Sequence, residues 1–187
     1  RVKKLEEDGR TRHITLNAQF RMHPILGEFV SQNFYDPQEH FDSPLPASSF
    51  AHHLPDVDGK CAVWLDVPKN QGGMSIEGTS RIRIAEADVI CRQLKRWIED
   101  DNVRAKEDGT KQLTFGVISF YKAQTEYIKK RLGVVDEDRL RIGTVDSFQG
   151  REFDVVFLSL VRTGKGFGFL ECYNRLNVSM SRQKKML

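Results

Sequence analysis

"GTVDSFQGREFDVVFLSLVR", residues 143–162, opens as a polar turn and closes as an unbroken apolar run. A strand with one solvated face alternates apolar and polar side chains, and 155–161 does not alternate, so both of its faces are expected to be buried. Strands of that kind sit in parallel sheets covered by helices on both sides. The entrance to the run is its opposite. Gln149, Arg151, Glu152 and Asp154 place an amide, a base and two acids against an apolar strand. Such groups require partners wherever they lose water. Those partners lie in this chain, in a ligand or in another domain.

Working outward, the chain alternates strand-like and helix-like segments. Residues 13–16 read as a short strand, and Pro24 suits the first turn of a helix over 24–35. Residues 36–60 carry four of the six prolines and three of the five histidines, which predicts a long irregular surface segment. "CAVWLDV" (61–67) is strand-like, and 70–80 reads as a glycine-rich flexible loop. Ile82, Ala85, Val89, Ile90, Leu94, Trp97 and Ile98 recur at helical spacing. The charged residues 99–111 read as a solvated turn. A strand over 113–119, an amphipathic helix over 122–132, a strand at 141–145, the apolar run, a loop at 164–168 and a helix through 174–182 complete the pattern. An α/β fold with a mainly parallel sheet follows.

Composition sets wider limits. The 187 residues are 39% hydrophobic and 29% charged, which fits one soluble domain able to bury a core. A net charge of +3 permits nucleic acid as a partner without demanding it. Cys61, Cys91 and Cys172 show no CxxC spacing, which points to reduced thiols and an intracellular, cytoplasmic setting (nuclear in a eukaryote). No apolar run reaches membrane-span length, and 1–10 lack the apolar core of a signal peptide, so no membrane partner is expected. The ending "RQKKML" carries no stop signal and reads as a cut within a larger protein. His40, His52, His53 and Cys61 match no zinc spacing, and no metal site is expected.

In parallel sheets, ligands gather at the carboxyl ends of the strands. Ser119, Thr144 and Arg162 mark three such ends and suit phosphate groups. Helix caps and turns prefer the same residue types, so each alone has an ordinary structural explanation.

Three motifs in order, "NAQFRMHP" (17–24), "GTVDSFQGREFDVVFLSLVR" (143–162) and "GFLECYNRLNVSMSR" (168–182), resemble the last motifs of superfamily 1 helicases, of the upframeshift type and their DNA-acting cousins. Glu86-Ala87 and "YKAQ" (121–124) match as well. The resemblance spans nearly the whole chain. It implies that residues 1–187 form the second RecA-like domain, a three-layer fold, of a two-domain ATP-driven motor. By that resemblance Arg21 and Arg182 approach the γ-phosphate of ATP, Phe20 stacks on adenine and Glu152 reaches the ribose hydroxyls. Gln149 and Gly150 lie where ATP is coupled to nucleic acid. Ser119, Tyr121 and Thr144, with Ser147, would grip the backbone of single-stranded DNA or RNA, and Lys122 and Arg162 would add charge. The family pattern is not followed everywhere: Phe20 replaces a common tyrosine, Asn174 replaces the first of two arginines, and Gln183 replaces a small residue.

No GxxxxGK[ST] occurs in the chain, so this domain has no P-loop of its own, and no acidic box stands after a strand to hold Mg2+. ATP and Mg2+ would be held mainly by a P-loop domain of the same full-length protein, and this domain alone would be inactive. "GKGFGF" (164–169) has the setting of a dinucleotide loop, but Phe169 replaces its third glycine, so it reads as a plain loop. Each site residue also has an ordinary reading: Arg21 paired with an acid of its own domain, Arg182 solvated at a helix end, Phe20 in the core, Asp154 in a structural hydrogen bond. Two other classes remain open. One is a nucleic-acid-binding or docking module without catalysis, and the other a metal-dependent nuclease built on Asp146, Glu152 and Asp154.

Overall fold

The computed structural model describes residues 16–133, 136–164, 166 and 168–187. Its centre is a four-stranded parallel sheet in the order β4-β3-β5-β6, with β3 Phe115–Ser119, β4 Leu140–Thr144, β5 Phe153–Ser159 and β6 Gln183–Met186. The unalternating apolar run of β5 is buried as expected, flanked by β3 and β6. Among the described residues four helices accompany the sheet: α1 Pro24–Phe34, α2 Ile84–Asp108, α3 Lys122–Leu132 and α4 Tyr173–Met180. One face of the sheet packs Phe115, Val117, Val155 and Phe157 against Ile90, Leu94 and Trp97 of α2 and Ile128 of α3. The other collects Ile118, Val156, Phe148 and Phe153, with Leu176 and Val178 of α4. This is the expected three-layer α/β, RecA-like arrangement.

Pro24 occupies the first turn of α1, whose preceding residue His23 accepts a hydrogen bond from Ile25 N at 3.3 Å. The helix expected to end near residue 99 instead runs on to Asp108 and stops at Gly109, which has φ +69°. Asp101 explains the difference. It is buried, ion-paired with Arg104 and with Arg139 at 2.9 Å, and accepts a hydrogen bond from Leu113 N at 2.8 Å. Arg104 of the same helix and Arg139, just before β4, neutralise a charge that looks solvated in the sequence.

Two other expectations change. Residues 70–80 are not wholly a loop, since β1 Ser75–Glu77 and β2 Ser80–Ile82 form a small hairpin. Residues 61–67 are extended but not a strand. Val63 N donates to Leu187 O and Leu187 N to Cys61 O, both at 2.9 Å, a single parallel rung beyond the end of β6. The segment 36–60 is irregular as expected, with short 3-10 turns at Pro37–Glu39 and Ala47–Phe50. The strand expected at 13–16 falls almost wholly outside the described residues, as do Lys165 and Phe167 of the 164–168 loop.

Register decides where the site residues stand. Ser119 is opposite Thr144 on one side and Ser159 on the other, so three hydroxyls line the carboxyl end of the sheet. Because β4 and β5 are parallel, residues 145–152 must return along the sheet from that end to the amino end of β5. Phe148, fully buried on the sheet face, anchors this connection. Glu152 therefore emerges at the opposite end of the sheet from Thr144.

Candidate nucleotide site and nucleic-acid end

The loop before α1 is shaped by Gln19. Its amide oxygen accepts from Arg21 N at 2.9 Å and Met22 N at 2.7 Å, while its amide nitrogen donates to Met22 O at 3.0 Å and Ser43 Oγ at 2.7 Å. A side chain that closes a turn on its own following backbone leaves the intervening residues outside the turn. Phe20 is accordingly 64% exposed, not core. Arg21 points across to the start of β5, where its Nε donates to Glu152 Oε2 at 2.7 Å. The pairing of Arg21 with an acid of its own domain is therefore real in this structure, and that acid is itself one of the residues expected to meet ATP.

β6 brings in the remaining charges. Lys184 Nζ lies 3.3 Å from Glu152 Oε1, and Lys184 O accepts from His23 N at 2.7 Å. Arg182 O accepts from Phe153 N at 3.0 Å, which fixes its backbone beside the entrance of β5. The Arg182 guanidinium donates to Val178 O and Ser181 Oγ, both at 3.0 Å, and makes no ion pair among the described residues. Burial, and then the neighbouring Arg21, lower its affinity for a proton. Hydrogen bonds from Arg21, and less so from Lys184, hold the Glu152 carboxyl below the usual carboxylate range. Arg21 and Lys184 thus grip one carboxylate, with Arg182 close enough to feel both Arg21 and Glu152, beside a cleft of about 550 Å³ lined by Phe20, Arg21, Leu45, Ser49, Phe50, Glu152, Lys184 and Lys185. This cluster lies at the amino ends of β5 and β6, not at the carboxyl ends where ligands were expected.

The carboxyl end is mostly closed, and its acid Glu86 is balanced by Arg83 at 3.6 Å. Ser119 is fully buried, its Oγ donates to Ser159 O at 3.1 Å, and it presents no hydroxyl to solvent. Tyr121 is buried too, beneath the Arg81 guanidinium at 5.8 Å. Behind them Gln124 accepts from Arg83 N at 2.9 Å and donates to Ser159 Oγ at 3.0 Å, and Ser159 in turn donates to Glu86 Oε1 at 2.7 Å. Glu86 also accepts from Val161 N at 3.1 Å. Val161 is buried with φ +68°, a conformation a β-branched residue avoids, and Glu86 helps to hold it there. At the surface of this end stand Thr144, half-buried, and Ser147, whose Oγ donates to Thr144 O at 2.7 Å. A Cβ at Gly143 would lie 2.3 Å from Ser147 Oγ, so only glycine permits this approach. Gln149 and Gly150 are exposed on the connection between the two ends, and Gly150 takes φ +77°.

The acids proposed as nuclease ligands do not converge. Asp146 pairs with Arg175 at 3.0 Å, Glu152 with Arg21 and Lys184, and Asp154 accepts from Thr114 N and Oγ1 at 2.9 and 2.8 Å, the structural role expected for it. Gln19, Lys184 and Gln124 are the residues that sequence reasoning did not single out. Gln19 and Gln124 carried a signal, their places in "NAQFRMHP" and "YKAQ", and Lys184 carried none.

Comparison with known proteins identifies the family. The AAA domain family matches residues 2–187. The chain is 33% identical over 187 residues to the DNA polymerase alpha-associated DNA helicase A of Saccharomyces cerevisiae, covering 92% of this chain and 26% of that protein. It is 33% identical over 187 residues to the Regulator of nonsense transcripts 1 homolog of Neurospora crassa, covering 91% and 16%. With the ATP-dependent helicase NAM7 of S. cerevisiae it shares 32% over 184 residues, covering 91% and 18%. The chain therefore spans between about a sixth and a quarter of the length of these relatives. Family match, relatives and parallel sheet together show that the chain belongs to the AAA domain family, as a C-terminal RecA-like domain of the upframeshift-type superfamily 1 helicases.

Proposed function

We propose that this chain is the C-terminal motor domain of an ATP-dependent helicase acting on single-stranded DNA or RNA, facing a P-loop domain of the same protein across the cleft. The observation that carries the reading is the charge imbalance at the amino end: Arg21, Arg182 and Lys184 around Glu152 alone, beside an exposed aromatic ring. Polyphosphate supplies the missing negative charge, and a purine ring suits Phe20. In this reading Arg21 and Arg182 meet the γ-phosphate, Phe20 the adenine and Glu152 the ribose hydroxyls. The P-loop and Mg2+ belong to the partner domain, with Mg2+ supplying charge neutralisation at the phosphates. A guanidinium keeps its charge at any working pH and presents several fixed donors, which suits it to the charge that develops in phosphoryl transfer.

The nucleic acid lies at the other end of the sheet, where Thr144 and Ser147 offer the accessible hydroxyls and Lys122 adds charge, with Ser119 and Tyr121 packed behind them. The connection bearing Gln149 and Gly150 joins the two ends. Contacts to sugar and phosphate give grip without base preference, as a translocating motor requires.

In the full-length protein, Arg182→Ala is expected to lower strand-stimulated ATP turnover by about 10³–10⁵ while nucleotide binding persists. Steady-state turnover and nucleotide titration measure the two. Near-normal turnover would remove the reading.

A further inference from the structure

Building on the assignment of Glu152 to the ribose, we propose that Lys184 is a positioning residue that holds this carboxylate for the sugar when Arg21 turns to the phosphates. The two oxygens of Glu152 are gripped separately, Oε2 by Arg21 Nε at 2.7 Å and Oε1 by Lys184 Nζ at 3.3 Å. The two cations differ in how they are mounted. Arg21 sits in the turn closed by Gln19, although the two side chains are similarly exposed, 39% and 35%. Lys184 is in β6, its carbonyl bound to His23 N at 2.7 Å.

Arg21 cannot serve the γ-phosphate and remain fully on Glu152. Once it leaves, a carboxylate next to a triphosphate is repelled by it, and one cation must stay for Glu152 to face the sugar. Lys184 is placed to be that cation. It has three rotatable donors and so keeps its bond as the carboxylate shifts. The result is an exchange: nucleotide takes Arg21, and Lys184 keeps the acid. Without Lys184, Glu152 turns to solvent once Arg21 leaves, and the sugar loses its acceptor.

The test compares ATP with 2′-deoxy-ATP in strand-stimulated turnover by the full-length protein. Wild type is expected to favour ATP in kcat/KM, and Glu152→Gln to remove that preference. Lys184→Ala is expected to shrink the preference in kcat/KM by about tenfold, the loss falling on ATP far more than on 2′-deoxy-ATP. Lys184→Arg is expected to retain the preference, and Lys184→Met, which keeps the stem, gives the same reading as alanine if the alanine variant fails to fold. Loss of preference in Glu152→Gln but not in Lys184→Ala overturns the role of Lys184 alone. Equal losses for both nucleotides in Lys184→Ala also overturn it, because the lysine then acts on the phosphates. Absence of any preference in wild type, unchanged by Glu152→Gln, overturns the ribose assignment and this proposal with it.

Discussion

The two ends of the sheet handle polar groups in opposite ways. At the carboxyl end buried Ser119, Gln124 and Ser159 and half-buried Glu86 are bonded to one another, tying β3, β5, α2 and α3 together. At the amino end of β5 and β6 the charges are partly exposed and unequal, three cations to one carboxylate. A closed network fixes geometry, because each member left alone would cost its full desolvation. An open, unbalanced cluster tolerates rearrangement and attracts a counter-ion. The first arrangement suits a joint that must transmit force, the second a surface that must bind and release an anion. Residues 145–152 run from one to the other.

The same substitution at each end should separate them most sharply. Glu86→Ala leaves Ser159 Oγ–H and Val161 N–H without their acceptor and releases the strained Val161 backbone. A loss of about 2–5 kcal/mol is expected in chemical denaturation. Glu152→Ala, at a half-exposed ion pair, should change stability by no more than about 1 kcal/mol. Equal costs would mean that the two ends do not differ in kind.

Next in size is anion affinity. Glu152→Gln frees Arg21 and Lys184 from their carboxylate, so the chain should bind tripolyphosphate about tenfold more tightly than wild type. Arg21→Ala should weaken the same binding, and raised salt should weaken all of it. Titration calorimetry with tripolyphosphate avoids the ribose and base altogether. Unchanged affinity in Glu152→Gln would show that the carboxylate does not hold those cations back.

The sheet was readable in the sequence because burial on both faces leaves a local mark, the unalternating run of β5. The helix beyond residue 99 was not, because the neutralising partner of Asp101 includes Arg139, a residue 38 positions away. Distance hides the site in the same manner. Arg21 and Glu152 are 131 residues apart, and no local pattern pairs them. Motif resemblance brought both residues forward, but not Lys184, whose role depends on β6 lying beside β5. The general tendency of ligands to gather at carboxyl strand ends pointed to Ser119 and Thr144 but not to the charged cluster around Glu152. The connection from β4 to β5 crosses the length of the sheet and delivers Glu152 to the other end.

Acid should also act at the amino end first. The Glu152 pKa is lowered in the folded chain, so its contribution is complete above the unfolded value of about 4.3 and is lost as pH falls through the lower folded value. His23 acts earlier. Burial, and then His52, depress its pKa, so the unfolded chain takes up the proton first and stability declines as pH drops below about 6.5. Protonation also removes the acceptor that caps α1 through Ile25 N. Hydrogen exchange should show α1 opening between about pH 6.5 and 5 while β3 and β5 stay protected. His23→Asn, which keeps a capping oxygen, should flatten that dependence. Loss of protection in the central strands at the same pH would place the weak point elsewhere.

The smallest expected effect on the fold comes from the most conspicuous side chain in the cleft. Phe20 is 64% exposed, and Gln19, not the ring, closes the turn that carries it. Phe20→Ala should therefore leave stability within about 0.5 kcal/mol, since the ring gives up little buried area. Phe148 is fully buried on the connection between the two ends, and Phe148→Ala should cost about 3–5 kcal/mol. Function should reverse the order of concern. If Phe20 stacks on adenine, its loss should raise the KM for ATP about two- to tenfold in the full-length protein. Affinity of the isolated chain for tripolyphosphate should stay unchanged, because that ligand carries no base. Phe20→Tyr should keep the stacking and leave KM near wild type. A KM unchanged by alanine would return Phe20 to an exposed apolar residue without a ligand. Equal loss of tripolyphosphate affinity would instead show that the ring shapes the cation cluster, and the division between base and phosphate subsites in this cleft would fall.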